Sequence, residues 1–130
     1  MPVCLGPKLQ VLNTALMTAA SQRTYRETNQ DTDFWGRLVE SAVGATLANG
    51  LKGQHGGLFY WAGRNREVDF VLAKGNKLVA IEVKSSRRKG SLPGISVFSR
   101  EFKVTKKLLV GADGVKLESF LSTPPGKWLE

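Results

Sequence analysis

Residues 66–86, REVDFVLAKGNKLVAIEVKSS, hold two apolar runs joined by the short turn Lys74-Gly75-Asn76-Lys77, and this stretch constrains the fold more than any other. Gly and Asn tolerate the positive φ of a tight hairpin, and the β-branched residues on either side suit strands. The spacing predicts an antiparallel pair, EVDFVLA returning as LVAIEVKS. Alternation then places Asp69 on a face with Glu67 and Val71, and Glu82 and Lys84 on a face with Leu78 and Ala80. These charges stand in elements otherwise built for a core, where burying an uncompensated charge is expensive. Two readings follow. Either the charges are solvated positions on half-exposed strands, or the turn lets Asp69 and Glu82 converge on a hard divalent cation such as Mg²⁺, which prefers oxygen ligands.

The flanking sequence supplies the rest of a domain. Asp31, Thr32 and Asp33 offer N-cap oxygens to a helix, FWGRLVESAVGATLANG, that Asn49–Gly50 is expected to end. Val39, Val43 and Leu47 form its apolar stripe; Glu40 falls in the same stripe, with Gly44 one turn on leaving space beside it. LFYW reads as a strand over Leu58–Trp61, Pro93–Gly94 opens a helix over ISVFSREFK, and KKLLVGADG reads as a further buried strand. LESFLSTPPGKWLE reads as a short helix or irregular tail anchored by Trp128 and Leu129. Ahead of these elements, Leu9–Leu12 is a short β-compatible piece before a turn or short helix near Asn13–Thr14, and residues 21–32 read as a polar loop. The order is helix, three strands, helix, strand. It predicts an α/β (α+β) domain over residues 33–130, preceded by an N-terminal segment and connector over residues 1–32.

Charge narrows the class of partner. The 130 residues carry a net charge of +8, with a sequence pI near 9.9. From Lys84 to Lys107 the cations Lys84, Arg87, Arg88, Lys89, Arg100, Lys103, Lys106 and Lys107 face one acid, Glu101. Such a run is either a solvated, solubilising face or a surface for a polyanion, which it would bind by displacing condensed counterions. Arg87, Arg88 and Lys89 follow the second acid-bearing strand directly. With Lys103, Lys106 and Lys107 they are the candidates for phosphate-backbone contacts, which position nucleic acid without reading its sequence. A lone cysteine, Cys4, cannot form an intramolecular disulfide, and no apolar run approaches the roughly 20 residues that span a bilayer. The N-terminal residues lack the pattern of a secretory signal. The expected location is cytoplasmic, with no membrane partner.

Asp69, followed after the hairpin by Glu82-Val83-Lys84, resembles the PD-(D/E)xK nuclease signature, with Glu40 matching the acid on that superfamily's first core helix. Val68 stands where the signature's name has proline. The expected element order also matches the superfamily's restriction-endonuclease-like αβββαβ core, a mixed central sheet flanked by helices. The phrases FWGRLVESAVGATLANG, FYWAGRNREVDFVL, KLVAIEVKSS and KKLLVGADGVKLESFL are closer still to the DUF4143 family, whose domains form the C-terminal part of prokaryotic AAA-type ATPases. The resemblance runs over about residues 6 to 129. It implies Mg²⁺ or Mn²⁺ held by Asp69 and Glu82, with the Val83 carbonyl and, directly or through water, Glu40. Lys84 would assist the attacking water, and DNA phosphodiesters would be the substrate. The alternative is a non-catalytic DNA- or protein-binding accessory module of the ATPase; self-association as a homodimer is a further reading. The chain holds no GxxxxGK[ST] loop, so the ATPase part is absent and the sequence reads as a free-standing remnant or an excised C-terminal domain.

Overall fold

The structure, a computed structural model, describes residues 8–85 and 92–130. Its elements are α1 (Ala15–Ser21), α2 (Tyr25–Gln30), α3 (Thr32–Gly50), β1 (Gly57–Gly63), β2 (Arg66–Lys74), β3 (Lys77–Lys84), α4 (Pro93–Glu101), β4 (Lys106–Gly111), α5 (Leu117–Ser122) and a closing 3₁₀ turn, Pro125–Leu129. From α3 to β4 the order is the expected helix, three strands, helix, strand. The strands form one four-stranded sheet in the order β1-β2-β3-β4. The first three are antiparallel neighbours, while β3 and β4 run parallel. A parallel pair cannot be joined by a tight turn, and α4 lies in the crossover that joins it.

Helices cover both faces. On one, Val43, Leu47 and Leu51 of the α3 end pack with Phe70, Leu72, Val79, Ile81, Val110, Phe120 and Leu129. On the other, Ile95 and Phe98 of α4 pack with Val68, Val71 and Ala80. The stripe predicted for α3 is the buried one, with Val39, Val43 and Leu47 all inside. Leu129 joins the core, and the Trp128 ring stacks on Phe120 at 5.3 Å between centroids, anchoring the tail as expected.

Three local expectations give way. The polar stretch 21–32 holds a helix, α2, because Thr24 and Glu27 form a capping box: the Thr24 side chain accepts from Glu27 N while Glu27 accepts from Thr24 N. Leu9–Leu12 is no strand but runs beside α3. Asn49–Gly50 does not end α3 through a left-handed cap; the helix includes Gly50 and ends at Leu51 in the right-handed region. A Cβ at Gly50 would lie 2.5 Å from Pro125, so this glycine admits the C-terminal turn instead.

Two irregularities shape the middle of the sheet. Phe59 pairs with Val71 and Trp61 with Val68, so Tyr60 alone faces both Asp69 and Phe70. This is a β-bulge on β2, and it breaks the alternation assumed from sequence: Val68 and Val71, three apart, share the α4 face. The second irregularity is that the β2–β3 ladder stops at Phe70–Ile81. Beyond it β2 continues against β1, and β3 continues against β4 through Glu82, Val83 and Lys84. The result is a fork between two otherwise paired strands.

Helix α4 seats against this fork by close approach. A Cβ on Gly94 would collide with the backbone carbonyl of Glu67, and its next neighbours include Glu82 Oε1 at 3.1 Å. Gly94→Ala is therefore expected to cost about 1–3 kcal/mol through overpacking against rigid backbone. In urea titration the midpoint should fall with an unchanged slope.

Candidate active site at the strand fork

The end of the β2–β3 ladder leaves the Val83 N–H without a strand partner on the β2 side, and Asp69 takes its place. Val83 N donates to Asp69 Oδ2 at 2.8 Å. In a strand the N–H and C=O of one residue project to the same edge, so the Val83 carbonyl also faces the fork. Glu82 precedes it on the α4 side, beside Gly94, close enough for the Asp69 carboxyl to act on it across the opening. Asp69 lines a cavity of about 190 Å³ with Lys8, Gln10, Leu58, Phe59, Tyr60 and Phe70, the last of these in the core that α3 covers. The two acids therefore meet through the gap between strands and not on one flat face. The bulge is what turns Asp69 into that gap.

Burial and neighbouring charge raise both carboxyls. Burial is the main cause that pushes Asp69 from its usual 3.8 up to about 6, against the Val83 N–H, which favours the charged form. Glu40 raises it further, while Lys8 draws it down. Glu82 is pushed from 4.5 up to about 8, first by burial, then by the Asp69 charge and the hydrogen bond it gives to Asp69, with Lys84 opposing. Both shifts favour the protonated carboxyl, and burial is the main cause at each. Lys84, half-buried, is close enough for its charge to act on Glu82.

Glu40 carries a partner that the sequence did not suggest. Its carboxylate meets Lys8 Nζ at 2.6 Å, and the same ammonium donates to the Asp69 backbone oxygen at 3.0 Å. Lys8 Nζ also lies 5.0 Å from the Tyr60 ring centroid and 4.6 Å from that of Phe70. The space made by Gly44 does not serve Glu40: a Cβ there would overlap the Gln10 side chain, which donates to Ser41 O at 2.9 Å. Lys8 and Tyr60 are the site residues that sequence reasoning missed. Lys8 lies 32 residues from Glu40 and 61 from Asp69, so no local spacing marks it. Tyr60 donates to Glu67 Oε2 at 2.8 Å, a bond that pushes its phenol up to about 12.

The basic candidates divide. Arg87, Arg88 and Lys89 lie outside the described residues. Lys106 and Lys107 pair with Val79 and Ala80, at the opposite end of β3 from Lys84, and Lys103 precedes them. Lys106 is three residues short of the level of Glu82, roughly 10 Å along the strand, so β4 does not bring these lysines to the fork.

The donor set suits a hard cation in kind: the Asp69 and Glu82 carboxylates and the Val83 carbonyl are all oxygens at one opening. Among the described residues, no three of the His, Cys, Asp and Glu side chains are gathered in a form ready to hold a metal. Glu40, the third acid, is paired with the Lys8 ammonium, which also contacts the Asp69 backbone oxygen. A proton held by either carboxyl would have to leave before both could ligate.

The sequence that builds this sheet and fork matches a known family. The chain is a member of the family described as Domain of unknown function (DUF4143), whose family model matches residues 35–119. That interval takes in α3 from Trp35, all four strands, α4 and the start of α5. No curated protein and no solved structure matches the chain. Among the described residues no helix is long and apolar enough to cross a membrane.

The acid pair makes stability fall with rising pH. Both pKa values are higher in the fold than in the unfolded chain, so the native state binds more protons between the usual values of 3.8 and 4.5 and the raised values of about 6 and 8. Stability is fully present below the lower values and is lost as pH rises through the upper ones. Glu82→Gln is expected to raise the urea midpoint at about pH 9 and to change it little at about pH 4, read in parallel titrations.

Proposed function

We propose that this chain is a metal-dependent nuclease domain of the PD-(D/E)xK type, with a restriction-endonuclease-like core, hydrolysing DNA phosphodiesters. One observation carries the reading: the Val83 N–H holds the Asp69 carboxylate at 2.8 Å across the open end of the β2–β3 ladder, beside Glu82 and Lys84 of the same strand. Carboxylates whose burial costs stability are what a site for a divalent cation retains.

In this reading Asp69, Glu82 and the Val83 carbonyl hold Mg²⁺ or Mn²⁺, and Glu40 joins directly or through water. The bound metal supplies Lewis-acid activation of water and stabilises charge on the phosphoryl oxygens. Lys84, on the same face of β3 as Glu82, orients the attacking water and offsets charge on the phosphate. Val83 N–H fixes the Asp69 carboxylate by hydrogen bond, so its second oxygen is the one left to ligate. Arg87, Arg88 and Lys89, next in sequence after the active strand, contact the phosphate backbone. An AAA-type ATPase is the partner that family membership suggests, and the cytoplasm the compartment.

Asp69→Asn and Glu82→Gln test this directly, because each removes a ligating charge that destabilises the fold. Both are expected to remain folded by circular dichroism. On linear, nicked, branched and single-stranded DNA with Mg²⁺ or Mn²⁺, each should cut roughly 100-fold slower than wild type or worse, the scale of losing a group that acts in the transition state. Equal, metal-independent behaviour of wild type and variants on every form would leave the accessory-module reading in its place.

A further inference from the structure

Residues 8–13 lie along α3 as a strap, and its contacts climb the helix in order. Lys8 reaches Glu40, Gln10 donates to the Ser41 carbonyl at 2.9 Å, and Asn49 Nδ2 donates to the Leu12 carbonyl at 3.0 Å. Gly44 is the notch that lets the Gln10 side chain lie against the helix, since a Cβ there would occupy its place. At its leading end the strap delivers one ammonium into the acid cluster. Lys8 Nζ touches the Glu40 carboxylate and the Asp69 carbonyl and lies over two aromatic rings, and its charge bears on the Asp69 carboxyl. A cation held by a carboxylate, a carbonyl oxygen and ring faces is in the environment a bound ligand cation occupies.

We infer that Lys8 is the resident cation of this site, and that the strap must lift before a divalent cation can draw Glu40 and Asp69 together. This rests on the metal-binding reading above. Lys8 Nζ and a divalent ion would compete for the Glu40 carboxylate, and placing both beside Asp69 sets like charges side by side. The strap is fastened lightly enough to exchange. Its Leu9 is 90% exposed and Leu12 49% exposed, and none of the residues of the following α1 is buried. It is held by side-chain bonds and not by core packing, which places it among the segments that open at low cost. Whatever engages this strap therefore sets how readily the site is loaded.

The test is Mn²⁺ binding by calorimetry on the full chain, comparing wild type, Lys8→Gln and Gly44→Ala, with Asp69→Asn as the control that should not bind. Lys8→Gln removes the competing charge. Gly44→Ala puts a methyl in the notch of Gln10 and, as a helix-favouring change, does not endanger the fold. Lys8→Gln is expected to bind about tenfold tighter than wild type, the scale of one charge-assisted hydrogen bond no longer displaced. Gly44→Ala should also bind tighter, and adding Mn²⁺ to wild type should speed amide exchange over residues 8–13. If wild type binds Mn²⁺ and Lys8→Gln binds it equally or more weakly, the strap inference is overturned while the metal site stands. If neither binds, both readings fall together.

Discussion

The hydrogen bond from the Val83 amide to Asp69 is the contact around which the rest of this molecule is arranged. A sheet normally satisfies every interior amide with the neighbouring strand. Here the β2–β3 ladder ends at Phe70–Ile81 while both strands continue, and a side chain replaces the missing backbone partner. That substitution needs a carboxylate aimed along the sheet, and the bulge opposite Tyr60 supplies the aim. The same bulge lets Val68 and Val71 fill the α4 face while Phe70 and Leu72 fill the α3 face. Core packing and site geometry therefore share one backbone irregularity.

The fork is held open at some cost to stability. Burial raises both acids, and Glu82 is kept protonated largely by burial and by the charge beside it. Burying two apolar residues of similar volume would avoid this. A glycine at position 94 seats α4 against the Glu67 carbonyl, and Lys8 neutralises from the other side. Stability is given up at one end of a sheet whose other end is an ordinary hairpin, with Gly75 at φ 60 in its turn.

The sequence made the outline legible because its signals are local. The turn residues at Gly75-Asn76, the apolar stripe of α3 and the Pro93 start of α4 each depend on neighbours within a few positions, and each stands where expected. The convergence of Asp69 and Glu82 was legible too, from a short hairpin between them. What escaped is what depends on distant partners. The bulge shows only in the β1 register, so strict alternation put Asp69 and Val71 on one face when they are not. Gly50 looked like a cap because its true neighbour, Pro125, is far along the chain. Lys8, just ahead of the β-compatible Leu9–Leu12, drew no reading because nothing near it in sequence reveals Glu40. The Thr24-x-x-Glu27 capping box was a local signal that the polar composition around it hid.

The most direct measurement is the position of Mn²⁺ by anomalous diffraction in crystals of the chain soaked near neutral pH. A metal held by the fork should give a peak within bonding distance of both the Asp69 and Glu82 carboxylates, at the opening where Val83 turns its carbonyl. Crystals saturated with Mn²⁺ that show no peak there, with the Val83 amide still bonded to Asp69, would contradict it.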